Sequence, residues 1–187
     1  MKYSVSILKD KFNKKEKMKY IFFYGHTPSQ DGSITKACFS QWWQSKFIID
    51  EKEYFCMEQY MMAEKARLFK DKEIEEKIME CKYPKKIKAL GREVKNFNED
   101  IWNDNKYNIV LKGNYEKFSQ NEELKKFLIN TKDRILVEAS PYDSVWGIKM
   151  SYNDENIENP LYWKGENLLG FALMEVRDKL IEKINII

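Results

Sequence analysis

The chain alternates between short apolar runs of strand length and longer stretches with helical spacing. Residues 20–24, YIFFY, are an apolar and aromatic run of the kind that forms a buried strand. Residues 46–55 read as a hairpin, with KFII and EYF flanking the polar turn Asp50-Glu51-Lys52. From Met57 the period becomes helical: Met57, Tyr60, Met61, Glu64 and Leu68 share one side, while Glu58, Met62 and Lys65 line another. Asp71 is placed to cap a second helix running through Met79, and Pro84 suits the first turn of a third, PKKIKALGREV, which Gly91 ends or bends. Tyr107, Val110, Leu111, Tyr115 and Phe118 predict an amphipathic helix, and Asn121 with two following glutamates predicts the next, ending near Thr131. RILVEA, residues 134–139, predicts a strand that leaves through the turn Ser140-Pro141-Tyr142-Asp143. The segment 31–36 and the acidic stretch 151–160 read as loops, and Gly165 opens a last helix striped by Leu169, Ala172, Leu173, Val176 and Leu180. Together these predict an α+β fold: a single mainly helical domain with a small sheet over residues 20–187, preceded by a lysine-rich segment 1–19.

Composition narrows the chemistry. A hydrophobic fraction of 43% and an aromatic fraction of 14% predict a packed core rather than disorder. Residues 1–20 hold seven lysines against Asp10 and Glu16, so with an overall charge of +3 the rest of the chain is slightly acidic, which is no footprint for polyanion binding. No run approaches the length and apolarity of a membrane span, and the first twenty residues lack the apolar core of a signal peptide. Three widely spaced cysteines, Cys38, Cys56 and Cys81, form no CxxC pair and read as reduced thiols, which with the missing signal predicts a cytoplasmic protein. His26 is the single histidine, so a zinc site built from several imidazoles cannot form, and acid–base chemistry falls to carboxylates, lysine or tyrosine.

Several residues stand out on this background. Glu58 and Lys65 are seven residues apart, so both project from one helical face, roughly 10 Å apart along the axis. That spacing serves a solvated charged face as readily as a ligand site. Glu58, however, sits in FCMEQYMM, a run otherwise short of charge, where a carboxylate would be desolvated and its pKa raised. Trp102 lies in the polar context NEDIWNDN and is either a packing anchor or a stacking wall for a heteroaromatic ring. Asp143 follows a strand and a Ser-Pro turn, where a side chain either caps the turn or serves a site at a strand end, with Trp146-Gly147 just beyond. Arg92 suits a phosphate or a nearby glutamate.

In order, the segments FSQWWQSKFIIDEKEYFCMEQYMMAEKARLF, KALGREV, KFSQNEELKKFLI, LVEASPYDSVWGI and GENLLGFALMEVRDKL resemble the NADAR family, over about residues 20–180. The resemblance implies a YbiA-like fold and an N-glycosidase that needs neither cofactor nor metal. Its implied substrate is ADP-ribose attached to guanine, with modified DNA or RNA as carrier, or else a ribosylaminopyrimidine 5-phosphate of the riboflavin pathway. Both present a ribose C1–N bond to a base-like amine. By position, the resemblance implies Glu58, Lys65, Trp102 and Asp143 as catalytic residues. It implies Ser40-Gln41-Trp42 as the early serine–amide–aromatic segment, with Gln41 where asparagine is commoner. Trp43, Arg67, Arg92, Trp146 and Gly147 complete the expected substrate-binding set: Trp102 and the Trp42/Trp43 pair to stack on the base, the arginines to bind phosphate or depress the pKa of Lys65. Lys149, which follows W-G-I, and the long loop 151–163 are departures that bear on the choice of leaving base. The expected chemistry divides cation stabilisation and proton donation between Glu58 and Asp143, with a Schiff base on Lys65 as a second route. The rivals from other classes are a nucleic-acid-binding module, in which aromatics interleaved with lysines stack on bases, and a silent interaction domain. Nothing in the sequence specifies an oligomeric state.

Overall fold

The predicted strands and helices are all present in the computed structural model of the protein, which describes residues 1–185. The fold is α+β and mainly helical. By density of internal packing it divides into a unit of residues 1–40 with 123–187 and a unit of residues 41–122.

In the first unit, β1 (Tyr20–Phe23) pairs in parallel with a strand at Ile135–Glu138, Tyr20 opposite Ile135 and Phe23 opposite Glu138. The C-terminal helix packs on the strand at Ile135–Glu138, and its Leu169, Phe171, Ala172, Leu173 and Val176 have no exposed surface. It spans Leu168–Asn185 and begins later than Gly165, because Asn167 takes a left-handed conformation (φ 54°) that no helix continues through. The buried Asn167 side chain accepts from the Glu138 N–H and donates to the Leu136 carbonyl, both at 3.0 Å, so an amide satisfies the strand edge in place of a neighbouring strand. The lysine-rich start of the chain, for which the apolar pattern predicts no element, forms α1 (Val5–Asn13). Ser4 caps it, Leu8 is its one buried residue, and Tyr3 donates to Asp178 on the C-terminal helix at 2.7 Å.

In the second unit, β2 (Phe47–Ile49) and β3 (Lys52–Tyr54) form the predicted antiparallel hairpin. Its two turn residues, Asp50 and Glu51, both have positive φ (50° and 63°), as the twist of a two-residue hairpin demands. α2 (Met57–Leu68) is buried almost all round from Met57 to Ala63, because the hairpin and three helices pack on it: α3 (Lys72–Glu80), α4 (Pro84–Leu90) and α5 (Glu99–Gln120). Beyond α2 the chain turns at Lys70 (φ 58°), and Asp71 caps α3 by accepting from the Ile74 N–H. α5 begins well before its predicted apolar stripe: Asn98 caps it, and Glu99 and Asp100 favour its first turn. Trp102 therefore lies within the first turns of this helix. α5 is followed by α6 (Glu122–Ile129); β4 is the strand at Ile135–Glu138, and α7 is the C-terminal helix. No described helix is long and apolar enough to cross a membrane.

Candidate functional site

α2 carries the first pair of candidates. Glu58 lies in its first turn and is 2% exposed, its N–H donating to the Gln41 carbonyl at 2.9 Å. Gln41 is itself buried. Its Nε2 lies 3.7 Å from the Met61 sulfur, and its Oε1 makes no hydrogen bond among the described residues. Trp43 is buried and Trp42 half-buried beside it. The helix dipole favours a negative charge at this end of α2.

Two turns on, Lys65 is half-buried and donates to the Gly91 carbonyl at 2.7 Å, at the C-terminal end of α4. Its ammonium stands 4.2 Å from the centre of the Phe97 ring and 5.7 Å from that of Trp102. Burial, followed by the charge of Arg92, holds the amine below the usual lysine range. The structure thus gathers Lys65, Arg92 and Trp102 and adds Phe97, which is 45% exposed. Nothing in the sequence around Phe97 singles it out, since it lies in the connection between α4 and α5 and only packing brings it to the amine.

Arg67, two residues beyond Lys65, is placed differently. It bonds Glu75 at 2.7 Å, the Tyr54 hydroxyl at 2.8 Å and also Glu64, so its guanidinium joins α2 to α3 and to the hairpin. That engagement places a half-buried cation within an ion-pair network through Nε and Nη1, while its buried Nη2 makes no hydrogen bond among the described residues.

The buried face of α5 runs through Val110, Gly113, Asn114, Lys117 and Phe118. It differs from the predicted stripe, in which Tyr107, Leu111 and Tyr115 turn out to be half-buried. Lys117 has 0% exposure, an uncommon state for a lysine. Its signal was present as the i, i+3, i+4, i+7, i+8 spacing from Val110 to Phe118, which passes through two polar residues and a glycine.

In the first unit, Asp143 Oδ1 accepts from the Val145 and Trp146 N–H groups at 2.9 and 2.8 Å, so the carboxylate shapes its own turn. Gly147 follows in a tight place: a Cβ there would stand 2.7 Å from the Glu138 carbonyl oxygen. Trp146 and Ser40 are half-buried, Ser40 ending the single turn of 3-10 helix at Lys36–Phe39.

Comparison with known proteins gives a consistent result. A family model described as the NADAR domain matches residues 22–181. The chain is 47% identical over 168 residues to N-glycosidase R617 of Acanthamoeba polyphaga mimivirus, covering 86% of this chain and 96% of that protein. It is 31% identical over 136 residues to N-glycosidase YbiA of Escherichia coli (strain K12), covering 72% and 76% respectively. The NMR structure of the E. coli protein YbiA superposes with a TM-score of 0.71 at 28% identity, over 89% of this chain and 88% of that one.

Proposed function

The chain belongs to the NADAR domain family, and on that premise we propose that this N-glycosidase hydrolyses the ribose C1–N bond of ADP-ribosylated guanine, removing ADP-ribose from the base. The observation that carries the reading is the setting of Lys65: an amine of lowered pKa beside an arginine and two aromatic rings, on the helix that also buries Glu58. Residues 20–187 form the catalytic domain and residues 1–19 an N-terminal extension of it, acting on a cytoplasmic substrate.

Breaking a ribosyl C1–N bond leaves positive charge on C1 and an electron pair on the departing nitrogen. A buried carboxylate offers fixed negative charge to the first, and Glu58 is the candidate for that role. Lys65 opens the covalent route. Ring opening of the ribosylamine gives an imine at C1; the neutral Lys65 amine adds to that carbon, and the base amine departs with a proton. Water then hydrolyses the lysine imine and returns the free amine. A lysine attacks only when neutral, and burial and Arg92 both favour that state. Phe97 and Trp102 offer faces for the leaving base, and Arg92 offers a partner for phosphate. Asp143 is the second carboxylate of the proposal. Asp143→Asn keeps an oxygen able to accept from Val145 and Trp146, so unfolding stability should stay within about 0.5 kcal/mol of wild type while turnover drops. Unchanged turnover would reduce Asp143 to a turn-former.

The substrate is tested by incubating the protein with DNA carrying ADP-ribosylated guanine and, separately, with the ribosylaminopyrimidine 5-phosphate. Release of ADP-ribose is expected to be much the faster reaction. Turnover of the pyrimidine substrate alone would transfer the activity to that metabolite. Borohydride reduction during turnover should trap a sugar adduct on Lys65, and its absence by mass spectrometry would remove the covalent route.

A further inference from the structure

α5 crosses α2 closely at Gly113, where a Cβ would stand 2.4 Å from the Tyr60 ring and 2.7 Å from the Met57 methyl. One turn further along the same buried face is Lys117, with no exposed surface. It therefore comes in beside the start of α2. The Cys56 thiol, at the N-cap of α2, registers both charges: burial pushes it up to about 12, the charge of Glu58 adds to the rise, and the backbone N–H groups of Gln59 and Glu58 and the charge of Lys117 oppose it.

A buried ammonium near a helix N-terminus is doubly unfavourable without an anion, once for desolvation and once for the helix dipole. Among the described residues of this unit, only Glu58 and Asp71 are buried carboxylates, at 2% and 7% exposure. Asp71 is committed to the Ile74 and Lys95 N–H groups at the start of α3. The other ionisable groups packed around α2 are engaged elsewhere. Tyr54, Glu64, Arg67 and Glu75 form the hairpin–α3 network, Tyr60 is raised by burial and by Glu64, and Lys65 with Arg92 lies two turns away. Glu58, in the first turn of α2 and acting on the same thiol as Lys117, remains.

We propose that Lys117 is a positioning residue whose sealed ammonium holds Glu58 as a carboxylate at the pH where the enzyme works. This rests on the reading of Glu58 as the group that meets the ribosyl cation, and it assigns Glu58 to charge stabilisation and away from proton donation. Desolvation alone would drive a carboxyl at 2% exposure toward its neutral acid, and the buried cation opposes that.

The test follows the Glu58 carboxyl directly in the full chain, by 13C NMR of glutamate-labelled protein with Glu58→Gln to identify the resonance. Wild-type Glu58 should be ionised at neutral pH. In Lys117→Met its titration midpoint should rise by about one pH unit or more, with Lys117→Arg restoring it in part. The acidic limb of the kcat–pH profile should move in the same direction, which a loss of packing alone would not produce. A Glu58 that is neutral in the wild type at neutral pH, or a midpoint unmoved in Lys117→Met, overturns the proposal. If Lys117→Met does not fold, Lys117→Met/Glu58→Gln must unfold at a higher temperature than Lys117→Met, because removing both charges leaves neither one buried alone. A double variant no more stable than the single one also overturns it. Failure to turn over either offered substrate would count against the assigned reaction and leave the titration readable.

Discussion

Lys65 and Arg67 are two residues apart in the last turns of one helix, both positively charged and both half-buried, yet they have opposite surroundings. Arg67 meets two carboxylates and a phenol. Lys65 meets a carbonyl, two aromatic rings and another cation, and its amine is held below the ordinary range. A step of two residues turns a helix by roughly 200°, so the two side chains leave from nearly opposite faces. One faces the hairpin and α3, where opposite charges close on it. The other faces the end of α4 and the start of α5, where no carboxylate among the described residues bonds it. What separates the two cations here is therefore the partner each face meets.

Four variants test that contrast. The largest effect is expected from Lys65→Ala, which should lower kcat by about 10²–10⁴-fold with the fold intact by circular dichroism. Wild-type turnover in that variant would end the case for the amine. Arg67→Ala should do the reverse. It removes a partner from Glu64 and Tyr54 and leaves Glu75 with Lys52, so denaturant unfolding should show a loss of about 1–3 kcal/mol with kcat per folded molecule little changed. Phe97→Leu should raise KM roughly threefold to tenfold, as expected for loss of one ring face worth about 0.5–1.5 kcal/mol, and an unaltered KM would place Phe97 outside substrate contact. The smallest and most diagnostic change is expected from Arg92→Gln. Removing the neighbouring cation raises the Lys65 pKa, so a smaller fraction of the amine is neutral at a given pH. The kcat–pH limb that reports deprotonation of Lys65 should move toward alkaline pH, with activity recovered there. A shift toward acid, or none, would contradict the coupling.

Linkage gives the same amine a stability signature. Because its folded-state pKa is lowered, the folded protein binds fewer protons than the unfolded chain between the lowered value and the ordinary lysine value of 10.5. Lys65 therefore opposes folding while protonated, and that penalty lessens as pH rises through this window.

Local pattern was enough to read most of the elements. The hairpin was legible because its turn is polar and its flanks alternate, and α3 because Asp71 and Pro84 bracket it. α1 was obscured by lysines that leave only Leu8 buried. The start of α5 was missed although Asn98, Glu99 and Asp100 are ordinary capping residues, because the polar run around Trp102 has no apolar period. Of the candidate site, Glu58 and Lys65 could be placed on one helix from their spacing, and the resemblance supplied the roles. Phe97 had no signal because it lies in a connection, and the spacing that carries Lys117 runs through polar residues, so it looks like a solvated lysine until helix packing removes its water.

The sequence by itself determined the α+β class, the family, the shared helix of Glu58 and Lys65, and the absence of an imidazole cluster, since each depends on residue identity or short-range spacing. Tertiary structure alone decided that Arg67 is locked by Glu64, Glu75 and Tyr54, that Phe97 and Arg92 accompany Lys65, and that Lys117 lies buried at the start of α2. Those outcomes depend on which helix faces meet, and that is set by side-chain volume and the missing Cβ of Gly113 across residues far apart in the chain.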